Sequence, residues 1–453
     1  MTATKPAWER PVIVRHESGL MNKYARVQSL EPLHDIDGVS VEELVQTYGS
    51  PLFVFSERTL VDRIRGLRDA MSRRWPKVRI AWSYKTNYLD GICRVFHREG
   101  AWAEVVSEME YDKAVAGGVP TEQIHFNGPY KPASALRKAF QGGSHVHLDH
   151  YDELARAEVV AEELGVRPGV ALRVHLSAEG APPWSRFGFH LESGQAMRAV
   201  ERLLAGDKLE LVGLHCHMGT FLLDPKAYET AARKLAEFAN TLRREHGIRV
   251  QFIDLGGGFA SHNALKAQYL PAEQATPSFE RYAEAITDGL EALEGPPRER
   301  PTLVLETGRA LVDDAGFLLT SVHATKRLPD GRRALVIDAG VNVLFTSFWY
   351  RHDVVPTRRV PGLPEPTVIY GPLCMNIDVV RDQLMLPPVE VDDVLALRHV
   401  GAYNVTQWMQ FITYRPAVVL VGPDGKHGLL RKREDLDVVR GPEVMPEWLE
   451  TAG

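Results

Sequence analysis

Between residues 52 and 310 the chain alternates short apolar, β-branched runs with longer segments of helical period, and this alternation strongly limits its possible folds. Several helical segments end in glycine, as helices commonly do. The predicted strands span residues 79–84, 101–106, 123–128, 145–150, 169–176, 211–218, 251–257 and 302–308. Eight strand–helix pairs in about 250 residues favour a closed (β/α)₈ barrel. An open, doubly wound parallel sheet is the alternative that the pattern leaves.

The two flanks of this region have a different pattern, which predicts a second unit rich in β-strands. After residue 315 helical segments become rare, and short strand-like runs alternate with Gly/Pro turns. The N-terminal flank contains one clear helical segment, and it is expected to join the β domain because chain ends often lie close together. We therefore predict an α/β protein with an N-terminal segment over residues 1–51, a barrel over residues 52–312 and a C-terminal β domain over residues 313–453.

The composition predicts a cytoplasmic enzyme. The 453-residue chain has 44% apolar and 25% charged residues, which is typical of a globular domain. Its net charge of -6 gives no reason to expect nucleic acid or an anionic membrane as a partner. Three cysteines cannot form a disulfide framework, the N-terminus lacks the pattern of a signal peptide, and no apolar stretch reaches the ~20 residues of a membrane helix.

Polar residues at the C-terminal ends of the predicted strands indicate a site at one mouth of the barrel. In this fold, catalytic side chains lie at that end of the strands. Residues placed at random in the core or on the surface would not favour one end. The residues concerned are Lys85, Asn127, His217, the triple glycine 256–258 and Glu306.

Each of these groups has a plain structural explanation as well as a chemical one. In the structural explanation, Lys85 is an ordinary surface lysine, the glycines form a tight turn, and Glu306 forms a salt bridge with Arg309. Chemically, a partly desolvated lysine amine reacts with an aldehyde. In the loops after the last two strands, the glycine amides and Arg309 are suited to bind a phosphate. The carboxylate of Glu306 is suited to hold a protonated ring nitrogen.

The histidines of the sixth strand complete a set of groups for one cofactor. His215 and His217 point to the same side, but no third ligand follows at a matching spacing, so no metal site is predicted. His217 is instead expected to stack on a flat ring. An aldehyde for Lys85, a phosphate for the glycines and a ring nitrogen for Glu306 together predict pyridoxal 5'-phosphate.

The motifs SYKTN, GLHCHMGT, DLGGGF, ETGRA, GPLCMNID and GAYN occur in the order found in fold-type III pyridoxal-phosphate decarboxylases, the family of diaminopimelate and ornithine decarboxylases. The chain resembles this family from about residue 38 to about residue 420, and GVSVEELVQTYGSPLFVFSE is especially similar to diaminopimelate decarboxylases. The resemblance implies an alanine-racemase-like barrel, a β domain that includes the N-terminal segment, and a homodimer with shared active sites. It implies decarboxylation of an α-amino acid, with a racemase or a non-catalytic homologue as alternatives.

The resemblance also assigns roles to individual residues. Lys85 would join covalently to the cofactor, and Cys374 of the partner subunit would return a proton after carbon dioxide leaves. The implied cofactor contacts are Lys85, His217, Thr220, Gly257, Gly258, Glu306, Gly308, Arg309 and Tyr403. The candidate substrate contacts are Arg309, Thr346, Tyr350, Arg351, Met375, Asp378 and Tyr403.

Departures from the family pattern bear on the substrate. Diaminopimelate decarboxylases carry a glutamate and an arginine where this chain has Met375 and Thr346. Ornithine decarboxylases carry acids where this chain has Met375 and Arg351. A buried charge without its partner costs several kcal/mol. The predicted substrate is therefore an α-amino acid other than meso-diaminopimelate or ornithine, with a neutral or acidic distal group, which includes conjugated ones. An acidic group would meet Arg351, and diaminopimelate decarboxylation proper is the alternative.

Overall fold

The computed structural model describes residues 31–181 and 184–450. Its strands fall into a small N-terminal hairpin, a parallel barrel and a second sheet of nine strands. In chain order they are β1 (Asp35–Ile36), β2 (Val39–Ser40), β3 (Leu52–Ser56), β4 (Val78–Ser83), β5 (Trp102–Val105), β6 (Ile124–Phe126), β7 (His145–Leu148), β8 (Gly169–His175), β9 (Phe189–His190), β10 (Glu210–His215), β11 (Phe252–Asp254), β12 (Thr302–Leu305), β13 (Gly316–Arg327), β14 (Arg333–Ile337), β15 (Val354–Pro356), β16 (Glu365–Tyr370), β17 (Val379–Leu386), β18 (Val394–Arg398), β19 (Ala417–Val421) and β20 (His427–Arg431).

Most of the helices alternate with the strands of the barrel, and a few lie in the two flanks. In chain order they are α1 (Val41–Tyr48), α2 (Glu57–Ser72), α3 (Asp90–Arg98), α4 (Glu108–Ala116), α5 (Ala133–Gln141), α6 (Tyr151–Leu164), α7 (Gln195–Gly206), α8 (Lys226–His246), α9 (Ala272–Ala275), α10 (Phe279–Leu290), α11 (Arg309–Val312), α12 (Leu436–Arg440) and α13 (Glu447–Glu450). Within the two described ranges, none of them has both the length and the apolar character needed to cross a bilayer.

Short-range capping sets several helix boundaries. The side chains of Ser56, Ser107 and Ser278 each accept a hydrogen bond from the amide three residues further on, which satisfies a free donor of the first turn. At the other end, Gly165 and Gly247 adopt the left-handed conformation that ends α6 and α8. These caps fix where each helix ends and therefore where the next barrel strand begins.

The eight parallel strands close into a barrel, which confirms the predicted fold and excludes the open sheet. Strands β4 to β8 pair in sequence, β10 pairs with both β8 and β11, and β12 returns to β4. The short β9 adds to β8 outside this ring. The outer face of each strand packs on the helices in one large apolar core. Inside the barrel there is a separate small apolar cluster of Ala171, Val212, Phe252 and Val304.

The second sheet combines both ends of the chain. Its central strand β13 pairs with β3, β18 and β14. Strand β3, which is buried on both faces, lies between β13 and β19. The predicted boundary at residue 52 assigns β3 to the barrel region, whereas the strand pairs within the second sheet. A strand that is buried on both faces has the same apolar sequence pattern in either place. Part of the segment predicted over residues 1–51, namely residues 1–30, lies outside the described residues.

One buried carboxylate ties the barrel to the second sheet next to α11. Asp314 accepts hydrogen bonds from His262 Nδ1 at 2.8 Å and His399 Nδ1 at 3.0 Å, and Arg63 lies 3.8 Å away. Burial opposes the charge of Asp314, but these partners hold its pKa well below the usual value. Burial likewise opposes a charged His399, yet the hydrogen bond and the negative charge of Asp314 raise the pKa of His399.

The Asp314→Asn variant is expected to lose about 3 kcal/mol of unfolding free energy, because it leaves charged partners beside a neutral group. His399 has a raised pKa, so its contribution is complete below the pKa of an unfolded histidine and is lost as pH rises through the folded value. The wild type should therefore lose more stability than the variant between pH 6 and pH 9. Urea denaturation of both proteins at the two pH values measures this difference, and equal pH slopes would contradict it.

Candidate active site

A cavity of about 550 Å³ opens at the C-terminal mouth of the barrel, where the second sheet contributes part of the wall. This volume suits a cofactor together with a small substrate. Most of the predicted site residues line it: Lys85, His217, Thr220, Gly257, Gly258, Glu306, Gly308, Arg309, Thr346, Tyr350 and Tyr403.

Lys85 lies in a single 3₁₀ turn, Tyr84–Thr86, directly after β4. Its Nζ is 2.6 Å from Glu104 Oε2 at the inner face of β5, where Glu104 is 1% exposed. Burial is the largest single effect and disfavours the charged amine, but the electrostatic effects of Glu104, Tyr403 and Glu306 and the hydrogen bond to Glu104 together place the pKa of Lys85 above its usual value. Glu104 was not predicted. The available signal was an acid inside the apolar run AWAEVV.

Glu306 follows β12 and is held from two sides. Asn127 Nδ2 donates hydrogen bonds to Glu306 Oε1 and to Glu104 Oε1, the latter at 3.2 Å. His215 Nε2 lies 3.5 Å from Glu306 Oε2, and burial with the nearby positive charge of Arg173 lowers the pKa of His215 far below its usual value. His215 is therefore neutral, and Glu306 faces the cavity beside it.

The glycine turn after β11 forms a backbone cradle that side chains would fill. Gly256 and Gly258 have φ values of 65° and 99°, which only glycine adopts without strain. A Cβ on Gly257 would lie 2.4 Å from the carbonyl oxygen of Glu306, and one on Gly258 would lie 2.3 Å from that of Gly219. The turn can therefore be built only from glycine, as expected for a loop that approaches a phosphate closely.

His217 presents a neutral ring above this turn. Its Nδ1 accepts a hydrogen bond from the Gly257 amide at 3.1 Å, which fixes the plane of the ring. Burial and the nearby charges of Arg173 and Lys85 lower the pKa of His217 to about 3. Trp184 lies beside it, with 5.2 Å between ring centroids. Trp184 was also not predicted, because it lies in the irregular segment between β8 and β9.

Arg309 is the buried cation on the other side of the cavity. Its guanidinium lies 4.6 Å from the ring centroid of Tyr350 and 4.9 Å from that of Tyr403, and it contacts Asp313 at 3.4 Å. Its buried Nε has no hydrogen-bond partner in the described part of the chain. Tyr403 is fixed by a positive φ of 62° and by its amide, which donates to the Thr86 carbonyl at 2.9 Å.

These features fit pyridoxal phosphate. Lys85 has the amine for its aldehyde, Glu306 has the carboxylate for its ring nitrogen, and Gly257, Gly258 and Gly308 line the cavity without a side chain. The unpartnered Nε of Arg309 is a donor without an acceptor, which an anion supplies.

The predicted substrate contacts separate into two groups. Thr346 lines the cavity, but its Oγ1 is engaged at 2.9 Å by both Asn404 Oδ1 and His352 Nε2. Arg351 does not line the cavity. Its guanidinium donates to the Gln268 carbonyl, and its amide donates to the Ala264 carbonyl at 2.7 Å, so both groups hold the loop after β11. The expected contact of Arg351 with a distal carboxylate is therefore not formed.

The loop that carries Cys374 does not line the cavity of its own chain. Cys374 is exposed. Asp378 is buried, and its two carboxylate oxygens accept hydrogen bonds from the amides of Val341 at 2.8 Å and Leu373 at 2.7 Å. Asp378 therefore shapes this loop, and within one chain it has no free oxygen directed at a substrate. The substrate contact of Asp378 stays a prediction.

The closed barrel and this set of groups define a pyridoxal-phosphate enzyme of the barrel class. Residues 59–313 match the family described as "Pyridoxal-dependent decarboxylase, pyridoxal binding domain". Together with a relative that is 31% identical, this match shows that the chain belongs to the pyridoxal-dependent decarboxylase family. It is an amino-acid decarboxylase that uses pyridoxal phosphate, as the sequence predicted.

The relatives found include diaminopimelate decarboxylases of two organisms. That of Methanocaldococcus jannaschii is 31% identical over 431 residues, which cover 91% of this chain and 95% of the relative. That of Bacillus subtilis is 29% identical over 419 residues, with coverage of 90% and 94%. The crystal structure of the M. jannaschii enzyme with L-lysine superposes with a TM-score of 0.83 at 30% identity, covering 92% of this chain and 96% of that one.

Proposed function

We propose that this protein decarboxylates an α-amino acid with an uncharged distal group, in a cytoplasmic homodimer whose active sites are shared. The observation that carries this proposal is the engaged hydroxyl of Thr346 on the cavity wall, at the position where diaminopimelate decarboxylases carry an arginine. The arginine next to Tyr350, Arg351, is turned towards Gln268. Of the two classes predicted from the sequence, an uncharged distal group is therefore favoured over an acidic one.

The side chains around the rest of the cavity support the same class. Phe221 and Tyr350 pack together with 5.1 Å between ring centroids. Trp184 and Phe187 line the opposite wall, and Trp349 is half-exposed at the rim. Aromatic walls favour apolar or amide-bearing groups and leave a distal ammonium without a carboxylate.

Each polar residue then has a defined task. When bound, pyridoxal phosphate supplies the electron sink that stabilises the carbanion left by loss of carbon dioxide. Glu306 would hold the ring nitrogen of the cofactor, Lys85 would supply the amine that joins its aldehyde, and Glu104 holds that amine at 2.6 Å. His217 limits the movement of the ring, and Arg309 binds an anionic group.

Diaminopimelate decarboxylation is the second candidate, because the relatives of about 30% identity carry that name. It requires this chain to hold a distal ammonium and carboxylate without the usual glutamate and arginine.

The deciding experiment measures carbon dioxide release by the cofactor-loaded enzyme on a panel of amino acids. The panel contains meso-diaminopimelate, ornithine, lysine, glutamate, glutamine, methionine and phenylalanine, with amide conjugates of glutamate. An uncharged substrate should exceed meso-diaminopimelate by at least about 10²-fold in kcat/KM. A kcat/KM for meso-diaminopimelate of about 10⁴ M⁻¹s⁻¹ or more would establish the second candidate instead. Loss of optical rotation without carbon dioxide release would indicate a racemase.

The shared active site predicts complementation between two inactive variants. The Cys374→Ala variant should be about 10²-fold slower, because its proton donor is missing. A mixture refolded from equal amounts of Cys374→Ala and Lys85→Ala should regain about a quarter of wild-type activity, since half of the dimers then contain one intact site. The control mixture of Lys85→Ala with Glu306→Gln removes two groups of the same barrel and should regain nothing. Equal activity in the two mixtures would place Cys374 in the site of its own chain.

A further inference from the structure

The interior of the barrel below the cavity contains histidines where this fold usually has branched apolar side chains. His125 on β6 and His147 on β7 are 0% and 1% exposed. Asp254 on β11 is 0% exposed and lies next to them. The mechanism above uses none of these three residues.

Their geometry is that of an incomplete coordination shell. His125 Nδ1 and His147 Nε2 form a hydrogen bond of 3.1 Å, a separation close to the ligand spacing of about 3.3 Å that follows from zinc–nitrogen bonds of about 2.0 Å in a tetrahedron. A carboxylate oxygen of Asp254 and one nitrogen of each ring lie within 4.8 Å of one another. One ion reaches all three ligand atoms when these spacings adjust to about 3.3 Å.

The carboxylate of Asp254 is arranged as a metal ligand usually is. Its Oδ1 accepts a hydrogen bond from the Gly256 amide at 2.8 Å, which orients the group. Its Oδ2 is buried and has no hydrogen-bond partner in the described part of the chain. Each buried polar atom left in this way costs about 1–3 kcal/mol unless a ligand satisfies it.

We propose that His125, His147 and Asp254 bind a divalent transition-metal ion, with zinc as the best match, at a structural site inside the barrel. Two neutral imidazoles and one carboxylate are a donor set that suits zinc. The ion also offsets negative charge in a barrel interior that holds Asp254, Glu104 and Glu306.

The neighbouring set of His147, His215 and Glu306 also has ligand atoms within 4.8 Å. It is the weaker candidate, because Glu306 is already bonded to Asn127 and faces the cavity. The shared residue His147 places the proposed ion directly behind Glu306, so the ion would stiffen the floor of the active site. The sequence did not reveal this site, because its ligands come from three strands without a fixed spacing.

The test uses the untagged, cofactor-loaded full-length protein, since a histidine tag binds metal itself. After extensive dialysis, elemental analysis by mass spectrometry should find about one zinc ion per chain. The Asp254→Asn and His125→Gln variants should lose at least about nine-tenths of it. His145→Gln is the matched control, because His145 stacks on His125 with 5.0 Å between ring centroids but belongs to neither ligand set. It should retain the metal.

A second measurement keeps the proposal testable if the variants do not fold. Wild-type protein produced with Co²⁺ should show the visible d–d absorption of a tetrahedral site, and crystals should give an anomalous peak between the two histidines at the zinc edge. Less than about 0.1 metal ion per chain, even after growth with added zinc, would overturn the proposal and leave water as the occupant. Metal that remains in Asp254→Asn and His125→Gln alike would also overturn it.

Discussion

Replacement of Lys85 by alanine is expected to abolish decarboxylation, with kcat at least about 10³-fold lower. Lys85 is the only lysine among the described residues that line the cavity, and its amine both contacts Glu104 at 2.6 Å and has the chemistry to join an aldehyde covalently. Its loss removes that bond and also leaves the buried carboxylate of Glu104 without its cation. The measurement combines carbon dioxide release with the visible absorbance of the bound cofactor, which should shift to that of the free aldehyde.

Two further variants separate the covalent role of Lys85 from its charge. Lys85→Arg keeps a cation beside Glu104 but cannot join the aldehyde, so it should be as inactive as Lys85→Ala while it recovers thermal stability. Lys138→Ala removes an exposed lysine that pairs with Asp112 on the outside of the barrel, and it should behave as the wild type. Retention of the cofactor band and of activity in Lys85→Arg would remove Lys85 from the catalytic centre.

The barrel could be predicted from sequence because each of its strands is buried on both faces. Such strands appear as short continuous apolar runs, and the glycine-ended helices between them give the repeating unit. Strand β3 shows the limit of this signal. Its five residues are all buried, so nothing in their pattern distinguishes a barrel strand from a strand of the second sheet. Only its pairing with β13 and β19, which are far away in sequence, decides its place.

The cofactor side of the site was predictable for a different reason. Parallel strands place their C-terminal ends at one mouth, so local motifs such as the glycine turn carry their position with them. The substrate side depends on contacts between distant loops. The orientation of Arg351 towards Gln268 and the engagement of Thr346 by Asn404 are set by packing and not by local sequence. Asn127 is an intermediate case. Its place at the end of a predicted strand was recognised from the sequence, but its hydrogen bonds to Glu104 and Glu306 were not predicted.

Replacement of Glu306 by glutamine is expected to lower kcat by about 10²–10³-fold. Asn127 Nδ2 donates to Glu306 Oε1, so a glutamine at this position must keep its oxygen on that side. Its NH₂ group would then replace Oε2, next to His215 and towards the ring nitrogen of the cofactor. A hydrogen-bond donor in that place faces the N–H of a protonated ring nitrogen and destabilises the protonated form, whereas the native carboxylate stabilises it.

Measurements of kcat and of the cofactor absorbance spectrum test this prediction, and Glu110→Gln is the matched control. Glu110 is also buried, but it accepts the Val106 amide at 2.8 Å and does not line the cavity. Because its substitution leaves the ring nitrogen and its carboxylate partner in place, its kcat should stay within about threefold of the wild type. If Glu306→Gln falls in that same range, the electron-withdrawing power of the ring does not depend on Glu306, and another group must hold the proton.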